Sequence, residues 1–122
     1  MTMVLLSGYM TRVLSFYKML VPLREHYRIV MFDPASWGLN TRLTESKGLE
    51  SPEAAEEWLI EWILKVMDAL NLPEKFHLAG WSMGGWLFSQ YASKRPERVE
   101  TLFLISPAGC EPYDPETYDP YK

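Results

Sequence analysis

Phe76-His77-Leu78-Ala79-Gly80-Trp81-Ser82-Met83-Gly84-Gly85 is the stretch that decides how this chain is read. Phe76 to Ala79 is a short apolar run that fits a buried strand. A serine follows, with glycine two residues to either side. Gly85-Trp86-Leu87-Phe88-Ser89-Gln90-Tyr91-Ala92 then fits a helix, which Arg95-Pro96 ends. Strand, sharp turn and helix around G-x-S-x-G form a nucleophile elbow.

The chemistry explains the spacing. A serine hydroxyl is a weak nucleophile and must be presented to a base and to a carbonyl carbon. A tight strand-to-helix turn lifts the hydroxyl above the sheet edge and strains the serine backbone. The residues two before and two after the serine crowd together, so both are best without a Cβ. Gly80 and Gly84 meet that need. Gly85 lets the helix sit close to neighbouring strands. The backbone N–H of Met83, at the helix start, can donate to an oxyanion.

Working outward, the order of elements reads β-α-β-α-β-α-β. Met3 to Leu6 is a buried strand, and Ser7-Gly8-Tyr9-Met10 a loop. Val13, Phe16, Tyr17 and Leu20 have helical spacing and predict a helix over 11–20. Pro22 ends it or sits just beyond. Tyr27 to Phe32 is a second strand, closed by Asp33-Pro34, and residues 34–50 are loop. Ser51-Pro52-Glu53 is a helix start: serine as N-cap, proline in the first turn, an acid near the positive end. Trp58, Leu59, Trp62, Ile63, Val66 and Leu70 form the expected buried stripe of that helix. Val99 to Ile105 is the fourth strand. This alternation predicts parallel strands joined by right-handed crossovers.

The length suits one domain, and 48% hydrophobic with 23% charged residues is a globular composition. A net charge of −4 argues against a nucleic-acid surface. One cysteine, Cys110, excludes an internal disulfide. No apolar run approaches the ~20 residues of a membrane span, although peripheral contact with a membrane is compatible with the chain. A cytoplasmic placement is the expectation. No metal or organic cofactor is implied.

The motifs together resemble the α/β-hydrolase family over essentially the whole chain. The elbow Gly80-Trp81-Ser82-Met83-Gly84-Gly85 matches the family fully, and Arg95-Pro96-Glu97-Arg98-Val99 and Ile105-Ser106-Pro107-Ala108-Gly109 look familial. Two positions depart from it. The family's His-Gly after the first of these strands is Ser7-Gly8 here. The family's Gly-x-Gly-x-Ser loop after Asp becomes Ser36, Gly38 and Asn40 after Asp33. Phe16-Tyr17-Lys18 and Ser106-Pro107-Ala108-Gly109, with Glu111-Pro112 following, look most like the branch of α/β-hydrolase domain-containing proteins four and five. That branch acts on lysophospholipids and N-acyl phospholipids or regulates lipid-droplet lipolysis.

The resemblance implies a three-layer α/β sandwich with a parallel sheet. Its four strands would be strands 3 to 6 of the family fold, in the spatial order 4-3-5-6, so the sheet is incomplete. Residues 1–109 would be a partial core domain, and 110–122 an acidic Pro/Tyr-rich tail or the start of a lid region. Ser82 would attack the carbonyl of an ester, on a small molecule or a lipid. The N–H groups of Tyr9 and Met83 would hold the oxyanion. Trp81 and Met83 are the best candidates for an apolar acyl pocket. The family's acid and histidine follow its seventh and eighth strands, which are absent from this stretch.

Substitutes within the chain are poor on reach. His77 lies five residues before Ser82 on one strand, about 16 Å away at ~3.3 Å per residue, whereas a base must come within ~3 Å. His26 precedes its strand, at the opposite edge from the elbow. Both histidines are expected near solvent at that edge. Asp33, Glu111 and Asp114 are acids at the correct edge, and Asp33 is expected to hydrogen-bond its own loop. A serine without its base keeps some oxyanion stabilisation but loses most of the rate. The leading expectation is therefore a serine ester hydrolase represented by a fragment. Its rivals are a non-catalytic binding or regulatory domain and a non-functional remnant. Exposed strand edges and an uncovered face of the first helix would leave such a piece prone to aggregation.

Overall fold

A run of apolar residues long enough for a central strand is buried on both faces, and β1 (Thr2–Leu6) is such a strand, buried at every residue. The computed structural model describes residues 1–42 and 50–110. Beside β1 lie β2 (Arg28–Phe32) and β3 (Phe76–Trp81), and β4 (Val99–Ile105) pairs with β3. All pairs are parallel and the order is β2-β1-β3-β4, the 4-3-5-6 arrangement expected from the sequence. Leu6 is in register with Phe32 on one side and Gly80 on the other, and Gly80 with Leu104.

The three α-helices among the described residues divide between the two faces. Strand alternation places Val4, Leu6, Phe76 and Leu78 on one face. There they pack with Ile63 and Met67 of α2 (Pro52–Ala69) and with Leu87, Phe88 and Tyr91 of α3 (Met83–Lys94). Met3, Leu5 and Ala79 form the other face, with Val13 packed against them and Phe16, Leu20 and Leu23 beside it. Leu20 and Leu23 belong to α1 (Tyr17–Leu23). Fully burying each large side chain of these clusters contributes about 1.5–3 kcal/mol. The result is an incomplete three-layer α/β sandwich.

Two helices differ from their sequence reading. The run expected as a helix over 11–20 is a 3-10 turn, Val13–Phe16, leading into α1. Pro22 lies inside α1 rather than ending it. It sits in the last turn, so one missing N–H removes one bond from a helix about to stop. In α2 the fully buried residues are Ile63 and Met67, while Leu59, Trp62 and Leu70 are only partly buried. The helix is thus rotated slightly from the stripe expected. Its start is as read: Ser51 Oγ accepts from the Ala54 N–H at 3.1 Å, with Pro52 in the first turn.

The β4 side of the described sheet is uncovered, as expected. Phe103, Leu104 and Ile105 are 44%, 44% and 36% exposed, and three successive exposed residues mean that both faces of the strand end are open. Between β4 and α1 runs an apolar groove of about 240 Å³, lined by Met3, Leu5, Leu23, Ala79, Phe103 and Ile105. Among the described residues, no helix is long and apolar enough to cross a membrane.

Candidate active site

The helix after β1 packs on one face of the sheet and the helix after β3 on the other. β1 and β3 are neighbours. Their C-terminal ends therefore flank the topological switch point, where open α/β sheets bind ligands. The segments that meet there are Ser7-Gly8-Tyr9 and Ser82-Met83.

Ser82 lies between the last residue of β3 and the first of α3 at φ 53° and ψ −120°, a conformation that side chains rarely adopt. Its backbone is held from two sides. The Ser82 N–H donates to the Ile105 carbonyl at 3.0 Å. The Ser82 carbonyl accepts from the N–H groups of Trp86 (3.1 Å) and Ala108 (3.0 Å). Strain of this kind persists only where the surroundings fix the backbone, and here β4 and its following loop do so.

The glycines are required by close approach. A Cβ on Gly80 would lie 2.4 Å from the Gly84 carbonyl oxygen. A Cβ on Gly84 would lie 2.5 Å from the carbonyl oxygens of Leu6 and Ser7. The elbow is thus pressed on itself and on the end of β1. Gly8 closes the third side, since a Cβ there would fall 2.9 Å from Ser82 Cβ and 3.4 Å from its Oγ.

Tyr9 follows Gly8, and its exposed ring stacks edge-on against Trp37 with centroids 4.6 Å apart. The structure therefore brings Ser82, the Gly8-Tyr9 segment and the start of α3 at Met83 to one place. Met83 is half-buried, with its side chain packed against the main core. Trp81 is half-buried and its ring lies beside Gly8. Ser7, in the place of the family histidine, is fully buried and its Oγ has no hydrogen-bond partner among the described residues.

Neither histidine is at the elbow. His26 is exposed in the turn before β2, and its N–H donates to the Leu23 carbonyl at 3.0 Å. His77 sits near the start of β3 in register with Met3. It is half-buried, edge-on to Tyr27 at 5.2 Å, and its Nδ1 is buried with no hydrogen-bond partner among the described residues. The reason is its place on an inner strand, flanked by β1 and β4.

Asp33 behaves as expected and organises its loop. Its Oδ1 accepts from the Val13 N–H at 2.6 Å and its Oδ2 from the Leu39 N–H at 3.2 Å. Glu111 and Asp114 lie outside the described residues, as does the acidic tail. Cys110 is an exposed thiol.

A family model described as the alpha/beta hydrolase fold matches residues 2–119. The chain belongs to the α/β-hydrolase family. An α/β-hydrolase of Caenorhabditis elegans, abhydrolase domain-containing protein abhd-5.2, is 36% identical over 93% of this chain and 24% of its own length. A rice (Oryza sativa subsp. japonica) protein named probable 1-acylglycerol-3-phosphate O-acyltransferase is 32% identical over 88% of this chain and 25% of its own length. Among solved structures, 2-hydroxy-6-oxo-6-phenylhexa-2,4-dienoate hydrolase of Rhodococcus sp. strain RHA1 superposes with a TM-score of 0.72 at 26% identity. That match covers 93% of this chain and 40% of the other. The chain spans about a quarter of the length of these two curated relatives.

Sequence reading missed two features of this α/β-hydrolase site. The contact of Trp37 with Tyr9 joins loops far apart in the chain, and no local pattern signals it. Ser106, at the end of β4, has φ 41°. The Ser-Pro-Ala-Gly run after an apolar strand was the available sign of a turn there.

Proposed function

We propose that Ser82 is the nucleophile of a serine hydrolase acting on a carboxylic ester, and that the ester belongs to a lipid or lysophospholipid. The observation that carries this reading is the backbone of Ser82 at φ 53°, fixed by Ile105 and Ala108 and pressed against Gly8. Holding a serine in that conformation costs about 1–3 kcal/mol and has a use when the hydroxyl must be presented. Tyr9 and Met83 supply the N–H groups that receive the oxyanion as the carbonyl becomes tetrahedral. Names of relatives that speak of acylglycerol phosphates support a lipid acyl group.

The proton of Ser82 Oγ has to go to a base during attack, and a base must lie within ~3 Å of it. His26 and His77 stand at the other end of the strands. In this reading the base and its orienting acid come from outside these 122 residues, and the present stretch contributes the nucleophile and the oxyanion site.

Imidazole rescue tests this. With p-nitrophenyl butyrate, added imidazole is expected to evoke a release rate that the Ser82→Ala variant does not show. An equal rate in both proteins rejects Ser82 as nucleophile. The remote histidines favour a second reading, in which the elbow survives as fold alone and the domain binds or regulates. That reading requires no Ser82-dependent rate under any base.

A further inference from the structure

A second serine is held in the left-handed region at a strand end. Ser106 has φ 41°, and it follows Ile105, the last residue of β4, as Ser82 follows Trp81, the last residue of β3. Trp81 and Ile105 are in register, so the two serines stand side by side where adjacent parallel strands end. A positive φ is uncommon for a residue with a side chain, and a pair of them at neighbouring strand ends marks a place where strain is put to use. No step above uses Ser106.

Ser106 is fixed relative to Ser82. The Ile105 carbonyl before it accepts from the Ser82 N–H at 3.0 Å, and the Ala108 N–H after it donates to the Ser82 carbonyl at 3.0 Å. Pro107 lies against α3, since a Cβ on Gly85 would fall 2.9 Å from Pro107 Cβ. The segment thus closes on one residue from both ends, and Ser106 between those ends is exposed.

The approach to Ser82 Oγ is open on this side. Gly8 closes the β1 side, where a Cβ would lie 3.4 Å from Oγ. The start of α3 is the side where, in the reading above, the Met83 N–H receives the oxyanion. Over the end of β4, Leu104 and Ile105 are exposed, and Ser106 is the polar residue next to them. A neutral imidazole that takes a proton at one ring nitrogen keeps an N–H on the other, and the acceptor of that N–H sets how the ring is held. A serine oxygen can be that acceptor.

We propose that Ser106 is a positioning residue for the base: its hydroxyl oxygen accepts the second ring N–H of an imidazole that reaches Ser82 across the end of β4. The proposal rests on Ser82 as the nucleophile. As Ser82 Oγ bonds to the acyl carbon of a p-nitrophenyl ester, the imidazole takes the hydroxyl proton, and p-nitrophenolate leaves with the electrons of the broken C–O bond.

Imidazole and 1-methylimidazole separate this role from a structural one, because methylation removes the second N–H and leaves the basic nitrogen. Release of p-nitrophenolate from p-nitrophenyl butyrate is measured with each base, and the rate of Ser82→Ala is subtracted. The preference of the parent chain for imidazole is expected to exceed that of Ser106→Gly by about threefold or more, the worth of one hydrogen bond. Glycine takes the backbone at 106 without strain, so this variant folds and lacks only the hydroxyl. Ser106→Asn should keep the preference, because asparagine tolerates the left-handed region and carries a carbonyl oxygen. A Ser82-dependent rate with the same preference in the parent and in Ser106→Gly overturns the role of Ser106 and leaves the nucleophile standing. A rate that falls equally with both bases in Ser106→Gly makes Ser106 part of the turn alone and overturns it too. No Ser82-dependent rate with either base rejects the nucleophile, and the path of the base with it.

Discussion

The Ser82 N–H donates to the Ile105 carbonyl at 3.0 Å, which ties the turn after β3 to the last residue of β4. The same serine returns a carbonyl to the Ala108 N–H at 3.0 Å. The turn is therefore clamped by a strand that is itself exposed at its end. Clamping explains how φ 53° is tolerated at a non-glycine residue.

Glycine adopts that backbone without strain. Ser82→Gly is expected to raise stability by about 1 kcal/mol, the relief of strain less the entropy that glycine adds to the unfolded chain. Ser82→Ala keeps the strain and should stay within about 0.5 kcal/mol of the parent. Urea unfolding of the three proteins measures both; equal stability of all three removes strain from the account.

Gly84→Ala should be among the worst single changes in the chain. The new Cβ would meet the Leu6 and Ser7 carbonyl oxygens at 2.5 Å, and both belong to backbone at the end of a central strand. Neither can yield without moving β1. A loss of about 3 kcal/mol or more is expected, read as a fall in the urea midpoint or in soluble yield.

Ser7→Ala runs the other way. The Ser7 hydroxyl is buried without a partner among the described residues, and such a group costs about 1–3 kcal/mol. Alanine removes the hydroxyl and leaves only a small void. Stability should rise by about 1 kcal/mol, measured by thermal unfolding; a fall would mean that the hydroxyl has a role in propping the Gly8 loop.

The start of α2 gives a pH signature. Glu53 has its pKa held below the ordinary 4.5 by its own backbone N–H first and by Ser51 second. A folded value below the unfolded one adds stability that is complete above about pH 4.5 and is lost as pH falls through the folded value. The Glu53→Gln variant should therefore show a shallower fall in melting temperature between about pH 5 and pH 3. Parallel curves for the two proteins would contradict this.

The elbow was legible because steric demand writes itself into residue type. Gly80 and Gly84 can be nothing larger, and an apolar strand must precede them. Strand and helix alternation predicted parallel strands with right-handed crossovers, and the strand order followed from the family resemblance. The first helix was less legible, because Val13 to Leu20 has helical spacing whether the turn is 3-10 or α. The contact of Tyr27 with His77 was not legible, because Tyr27 precedes β2 and His77 lies on β3. The placement of Ser106 beside Ser82 was not legible either. Only the β3–β4 register brings the two together.

The most direct measurement is where p-nitrophenyl acetate acylates the folded chain, mapped by mass spectrometry against Ser82→Ala and against the chain in urea. With imidazole added to take the Ser82 proton, we expect one adduct on Ser82 in the folded protein, absent in urea and absent when imidazole is left out. Label spread over lysines alike in both states, with none on Ser82, would contradict a presented nucleophile. Rapid Ser82-dependent turnover of the ester without imidazole would contradict a base supplied from elsewhere.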